Sequence, residues 1–249
     1  MNKPKSKYDL NALVGTYNID NLYEQYKRIE FLKKLENYLS FRESSVVEFG
    51  SATGQMTELL AGNFKKILAV DGSSDFIEIA KNRVGKFSGV EFEESYFEDF
   101  SWHEKFDCLI MHHILEHIEN PAEVLLKAKD LLQKDSVLAI SVPNATALSR
   151  RLAVKMGILD SVYELTDNDK HHGHYRVYDW PALESQLVEC GYRIIGRHGL
   201  SFKLLSDSQN IKMLDENIIG KEQIKGLWEL ADELPEHAGA IMIVAKTAG

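Results

Sequence analysis

The stretch Val46-Val47-Glu48-Phe49-Gly50-Ser51-Ala52-Thr53-Gly54-Gln55, followed by a second apolar run that ends in an acid, Ile67-Leu68-Ala69-Val70-Asp71, constrains this chain more than any other feature. The first apolar run reads as a buried strand. Small residues then make a tight turn, and Thr53 to Ala61 reads as a helix. The second run delivers Asp71 at its own carboxyl end. Together they make a βαβ unit shaped to hold a nucleoside. Small side chains let backbone approach the ligand, and the acid accepts ribose hydroxyl bonds.

Elsewhere, strand-like runs over 90–93, 106–111 and 136–142 alternate with helical runs over 74–84 and 121–132. That alternation predicts a mostly parallel sheet covered on both faces. The 121–132 helix is signed by Asn120 as its cap, Pro121 at its first position and Glu123 to close a capping box. Ahead of the sheet, residues 1–16 read as flexible. Leu22, Tyr26, Ile29, Leu32, Leu35 and Leu39 recur at helical spacing, an amphipathic helix laid on the domain. Later segments read as a helix over 181–190, a strand over 193–198 and a final strand over 240–246. The expected organisation is an N-terminal segment with a capping helix over 1–40 and a main domain over 41–249. Two insertions interrupt that domain, at about 144–179 and 203–238, the second a lid or a homodimer element.

With 249 residues and 44% of them hydrophobic, the chain can bury one α/β core with additions. A net charge of −9 excludes a general nucleic-acid binder, which needs a basic face. The two cysteines, Cys108 and Cys190, form no paired framework, which points to a reducing cytoplasm. No apolar run approaches the ~20 residues that a membrane span needs.

The nucleoside follows from the glycines. A dinucleotide fingerprint needs a small residue at its sixth place, where this chain has Gln55, and no Walker lysine follows the turn. The small residues fall instead at 50, 52 and 54. Val47 to Gly54 resembles the first motif of class I S-adenosylmethionine-dependent methyltransferases, in particular the small-molecule, ubiquinone-biosynthesis-like group. Leu68 to Ser73 resembles their second strand and ribose-binding acid, and Val90 to Phe100 their adenine-binding segment. Phe106 to Ile110, followed by Leu115-Glu116-His117-Ile118-Glu119-Asn120-Pro121, resembles their fourth strand and its loop.

The resemblance implies an α/β, Rossmann-like, seven-stranded, mostly parallel sheet whose last strand is antiparallel. It implies S-adenosyl-L-methionine as cofactor and a small-molecule methyl acceptor. Carried over residue by residue, the cofactor set is Glu48, Gly50, Ser51, Ala52, Gly54, Asp71, Gly72, Ser73, Tyr96, Phe97, Met111 and His112. Two positions depart from the family pattern: Ala52 stands where glycine is usual, and Tyr96 where aspartate is. Phe97 is then a candidate to stack on the adenine, and Glu98 a candidate acceptor for its amino group.

Six of the nine histidines lie in two short stretches, His112, His113 and His117, then His171, His172 and His174. A hydroxyl acceptor must lose a proton as it is methylated, and an imidazole suits that task. His117 and His174 are the leading bases, His113 and His172 the next. His113 to His117 also matches the inverted zinc-peptidase pattern H-x-x-E-H. Only a short turn separates the strand from Asn120-Pro121, so the site is expected without a metal. A divalent ion on His113, Glu116 and His117 is the alternative that the resemblance leaves open.

Arg176 and Lys203 are candidates for an anionic group on the acceptor. Tyr17, Tyr23 and Tyr26 are candidates to close over the cofactor. The reading is methyl transfer to oxygen, rather than nitrogen, of a sugar, a phosphorylated compound or a quinone precursor. A binding protein without catalysis is the competing class, and a nicotinamide-dependent oxidoreductase a third.

Overall fold

The structure, a computed structural model, describes residues 10–15 and 19–248. Its strands are β1 (Ser45–Phe49), β2 (Lys66–Asp71), β3 (Val90–Glu94), β4 (Phe106–His112), β5 (Leu132–Pro143), β6 (Tyr192–Leu200) and β7 (Ala240–Thr247). They form one seven-stranded sheet in the order β3-β2-β1-β4-β5-β7-β6. Neighbours among β1 to β5 pair in parallel, whereas β7 runs antiparallel to both β5 and β6. This is the expected α/β sheet with its antiparallel last strand.

The helices are α1 (Leu22–Leu35), α2 (Gln55–Ala61), α3 (Ser74–Val84), α4 (Pro121–Ala128), α5 (Leu148–Lys155), α6 (Asp167–His171), α7 (Trp180–Glu189), α8 (Asp207–Asp215) and α9 (Lys221–Glu233). Alternate strand residues feed two cores. Val47, Phe49, Leu109 and Met111 join Leu125 and Leu183 on one face. Val46, Ile67, Cys108 and Ile110 join Phe31, Leu35 and Leu60 on the other. With both faces covered, the strands read as unbroken apolar runs. Phe31 and Leu35 are fully buried, each contributing about 1.5–3 kcal/mol, which binds α1 to the body of the sheet.

Element ends differ from expectation for local reasons. Helix α1 stops at Leu35, and the chain turns so that the Tyr38 hydroxyl lies 2.8 Å from His198 Nε2. Helix α2 begins at Gln55 because Gly54, at φ 86°, is left-handed and serves as its N-cap. After α4 a 3-10 turn, Lys129–Leu131, delivers Leu132 into register with Phe106, so β5 starts at Leu132 and not at 136. The capping box of α4 is not formed: the Asn120 amide donates to Glu123 Oε2 at 3.3 Å and caps no backbone group.

Strand order reverses between β1 and β4, which opens a crevice at their carboxyl ends. The two long connections both reach it, the first through α5 and α6 and the second through α8. Tyr23 packs with Leu214 and Ile224, and Tyr26 meets Trp228 edge-on at 6.2 Å. Both tyrosines therefore hold α1 to the second insertion, where the sequence reading had them closing over the cofactor. Tyr17 lies outside the described residues. Among the described residues no helix is long and apolar enough to cross a membrane.

Candidate active site

A cavity of about 1140 Å³ opens at the crevice. Single-ligand pockets run to about 300–1,000 Å³, so this one accommodates a nucleoside and a second molecule. Its first half is lined by Glu48 and Gly50 to Ala52 from the turn after β1, Asp71 and Gly72 after β2, Tyr96 to Glu98 after β3, and His112 after β4. Asp71 Oδ2 accepts the Ala52 N–H at 2.9 Å and Oδ1 accepts the Ser73 N–H at 3.0 Å. Burial pushes the carboxyl pKa up, and these amide bonds oppose the shift. Each oxygen keeps a lone pair for a ribose hydroxyl.

Two constraints make position 50 a glycine. Its φ is 83°, and a Cβ there would come within 2.0 Å of Ile114 Cδ1. Ala52 is also left-handed, at φ 43°, a strained state for an L residue that its amide bond to Asp71 helps to hold. Glu48 is buried and accepts the Thr57 hydroxyl at 2.7 Å. Burial pushes its carboxyl up to about 8. Arg28 of α1 lines the same half, buried, with its guanidinium donating to the Ile19 carbonyl at 3.1 Å. The sequence reading missed it; its signal was an arginine within an amphipathic helix.

Three of the expected cofactor residues do not line the cavity. The Met111 side chain is in the core. Ser73 caps α3 through the Phe76 N–H at 3.2 Å and donates to Asn11 at 2.6 Å. Gly54 lies against α3, where a Cβ would be 2.9 Å from Ala80 Cα. Phe97 spends one ring face on Phe49, parallel at 4.7 Å, while Tyr96 is 42% exposed beside Gly72. The His112 ring rests on Phe31, with Nδ1 2.7 Å from Ser141 Oγ. Burial, then the neighbouring His113, holds its pKa well below the usual imidazole range.

The second half holds the histidines. After β4 the chain makes a 3-10 turn over Leu115–His117, entered through His113 at φ 57°. This turn replaces the helix that the zinc-peptidase pattern requires. Glu116 is fully buried, neither carboxylate oxygen has a hydrogen-bond partner, and His113 Nδ1 lies 3.3 Å from Oε1. Burial favours its protonation, but His113, His117 and His174 around it outweigh that and keep its pKa below the usual carboxylate value. The His117 and His174 rings meet edge-on at 4.6 Å. One side-chain ligand atom from each of Glu116, His117 and His174 lies within 4.8 Å of the other two, a spacing that a divalent cation can bridge. Burial pushes His117 down to about 4, leaving it neutral at pH 7.

His174 is brought in from the first insertion. The Tyr175 N–H donates to the Glu116 carbonyl at 2.9 Å, and the Arg176 guanidinium donates to the carbonyls of Leu115, Ile118 and Glu119. Arg176 is thus a brace for the turn and not the anion subsite expected of it. Lys203 lines the cavity but is ion-paired with Asp207, which also lies 3.5 Å from Lys27. His172 lines the cavity, whereas His171 does not.

Residues 23–196 match the family model of a methyltransferase domain. The chain belongs to that family. Among relatives of this methyltransferase, the ubiquinone biosynthesis O-methyltransferase of Glaesserella parasuis is 28% identical over 116 residues, which cover 44% of this chain and 49% of that protein. The chain thus spans about half the length of that curated relative. The enzyme of the same name from Dinoroseobacter shibae is 22% identical over 219 residues, 86% of each chain. The crystal structure of the N-methyltransferase NodS from Bradyrhizobium japonicum, in complex with S-adenosyl-L-homocysteine, aligns with TM-score 0.57 at 16% identity, covering 92% of this chain and 90% of that one.

The fold is that of class I methyltransferases, and the residues of the cavity's first half fit S-adenosylmethionine as cofactor. Asp71 offers lone pairs for the ribose, the left-handed turn at Gly50 and Ala52 exposes backbone to it, and Glu48 and Arg28 offer a carboxyl and a guanidinium to an amino-acid end.

Proposed function

We propose that this methyltransferase passes the methyl group of S-adenosyl-L-methionine to a hydroxyl oxygen of a small polar metabolite. The observation that carries the reading is the gathering of His117 and His174 beside the buried Glu116, in the same cavity that Asp71 lines. The cofactor supplies an electrophilic methyl carbon and a good leaving group. What remains for the protein is alignment of the oxygen and removal of its proton. A binding protein without catalysis would gain nothing from a buried carboxylate that lacks a hydrogen bond and faces imidazoles.

The acceptor half also holds an alternating chain of charge: Glu24 to Lys27 at 2.7 Å, Lys27 to Asp207 at 3.5 Å, and Lys203 on Asp207. Each lysine already has a carboxylate, so these donors and acceptors suit neutral hydroxyls better than a phosphate. Sugars are therefore the first compounds to assay, ahead of sugar phosphates and phenolic quinone precursors.

The test joins calorimetry with S-adenosylhomocysteine to transfer of a labelled methyl group to that panel. We expect tight binding that Asp71→Ala weakens strongly. His174→Ala should keep binding and lose turnover by about 10²–10⁴-fold. Absence of binding at millimolar ligand would sink the cofactor assignment. Binding with no transfer to any hydroxylated compound would sink the O-methyl assignment.

A further inference from the structure

We propose that Asp169 is a positioning residue that fixes the tautomer of His174, and thereby makes His174, among the imidazoles of the cavity, the group that receives the acceptor's proton. The inference rests on the methyl-transfer reading above. Asp169 lies in α6, 7% exposed, where it closes a capping box with Thr166.

The two oxygens of Asp169 are used differently. Oδ2 accepts the Thr166 N–H at 2.9 Å, the Thr166 hydroxyl at 2.8 Å and Arg150 Nη1 at 3.2 Å. Arg150 is itself fixed by the carbonyls of Val162 and Glu164. Oδ1 faces His174 Nδ1 at 3.1 Å, an ion-pair contact without the alignment of a hydrogen bond, and no other group bonds that buried nitrogen. Burial alone would raise the carboxyl pKa, but His174, Thr166 and Arg150 outweigh it and hold the group ionised. An ionised carboxylate only accepts, so its negative charge beside Nδ1 favours the imidazole proton there, a small ring rotation from a hydrogen bond, and leaves Nε2 with a free lone pair. The backbone locks the pair as well: the His174 N–H donates to the Asp169 carbonyl at 2.9 Å.

His112, His113 and His117 face no carboxylate held as Asp169 is, and His172 Nδ1 lies 3.2 Å from the Asn168 amide. His117, with its pKa near 4, is a weak base at neutral pH. His112 is also held well below the usual imidazole range by burial, and its Nδ1 lies against the Ser141 hydroxyl. His113 faces Glu116, whose oxygens no donor fixes, so that pair has no preset orientation. In the step, the hydroxyl proton moves to His174 Nε2 as the O–CH₃ bond forms and the S–CH₃ bond breaks. The positive charge lost from sulfur reappears on the imidazole, where Asp169 and Glu116 neutralise it. The role of Asp169 is that of the acid in a Ser-His-Asp triad, transposed to methyl transfer.

The tautomer can be read without knowing the acceptor. The full chain is labelled with ¹⁵N-histidine, bound to S-adenosylhomocysteine, and its long-range ¹H–¹⁵N spectrum assigned with His174→Gln. We expect wild-type His174 protonated on Nδ1 and bare at Nε2. In Asp169→Asn the new amide donates to Nδ1, so the proton should move to Nε2. Turnover of any acceptor found above should fall roughly 10³-fold at unchanged S-adenosylhomocysteine affinity, and Asp169→Glu should restore part of it.

A wild-type proton on Nε2 overturns the proposal whether or not the variant folds. So does an unmoved tautomer in a folded Asp169→Asn chain, which would leave Asp169 only a helix cap. Retention of one zinc or manganese ion, lost in His174→Ala, would also overturn it, because the lone pair would then belong to a metal. Failure of S-adenosylhomocysteine to bind, by contrast, strikes the methyl-transfer reading and leaves the tautomer result to be read on the free protein.

Discussion

Three backbone carbonyls, those of Leu115, Ile118 and Glu119, converge on the guanidinium of Arg176, and through them the turn that carries Glu116 and His117 is fixed to the segment that carries His174. Hydrogen bonds from a charged donor contribute about 1.5–3 kcal/mol, and a buried carbonyl left without one loses its desolvation cost as well. Arg176→Ala should therefore destabilise the chain by about 2–4 kcal/mol in urea unfolding and abolish turnover. Affinity for S-adenosylhomocysteine should stay within a few-fold, since Arg176 does not line the cavity. Arg176→Lys should recover little, because an ammonium cannot span three carbonyls as a planar fork does. Equal losses of cofactor affinity and turnover would show that the turn serves the cofactor half too. Residues whose role is local were legible in the sequence. Gly50 and Asp71 answer to backbone conformation and strand ends, and a short window contains both signals. Arg176, Asp169 and Arg28 act on partners that only the fold brings near, so the sequence marks Arg176 as an anion site and not as a brace, and leaves the other two as charges of no special kind.

Beside the tyrosine contacts, a buried acid ties α1 to the root of the second insertion. Glu30 Oε2 accepts the N–H of Ser201 at 2.8 Å, and Ser201 is left-handed at φ 56°. The Ser201 carbonyl in turn accepts the Gly239 N–H at 3.1 Å, so both ends of the insertion meet at this point. Burial pushes Glu30 up to about 8, with the Ser201 amide and Lys34 opposing and Asp232 adding to the shift. A glutamate in the unfolded chain ionises near ~4.3. Between those values the unfolded chain binds fewer protons, so this group's contribution is complete below about pH 4 and is lost as pH rises to about 8. Glu30→Gln keeps an acceptor for Ser201 and removes the titration. Its unfolding free energy, measured by urea from pH 5 to 8, should fall less steeply than the wild type's, by at most about 1.4 kcal/mol per pH unit. Parallel slopes would mean that Glu30 is hydrated in the folded chain. At this scale the sheet was legible, because fully covered parallel strands write themselves as apolar runs. The helices within the insertions were not: α5 is short, polar on average and has no buried residue, so its helical periodicity is written over only two turns and hydropathy alone reads it as a polar connection.

Over the whole molecule, the cofactor half is assembled from parts far apart in sequence. The sheet edge supplies Gly50 and Asp71, α1 supplies Arg28, and Leu10 covers Gly72, where a Cβ would lie 2.7 Å from its Cδ1. The second insertion supplies Ser206 and Asp207 to the wall of the acceptor half. A ligand that binds only when these parts are together stabilises all of them. At a concentration of one hundred times Kd, S-adenosylhomocysteine should add about 2.7 kcal/mol to the unfolding free energy. For a chain of this size that is a rise in Tm of roughly 5–10 °C. Asp71→Ala should unfold at the same temperature with and without the ligand. Amide exchange read alongside should slow at residues 10–15 and 201–207 as well as at 49–54 and 71–73. Protection confined to the turns at 49–54 and 71–73 would show that the ligand engages the sheet edge alone. The second insertion would then serve the acceptor independently, and cofactor and acceptor would bind without thermodynamic coupling. Protection that reaches 201–207 has the opposite consequence: the Lys203–Asp207 wall is ordered before the acceptor arrives, so by reciprocity the acceptor must tighten the cofactor.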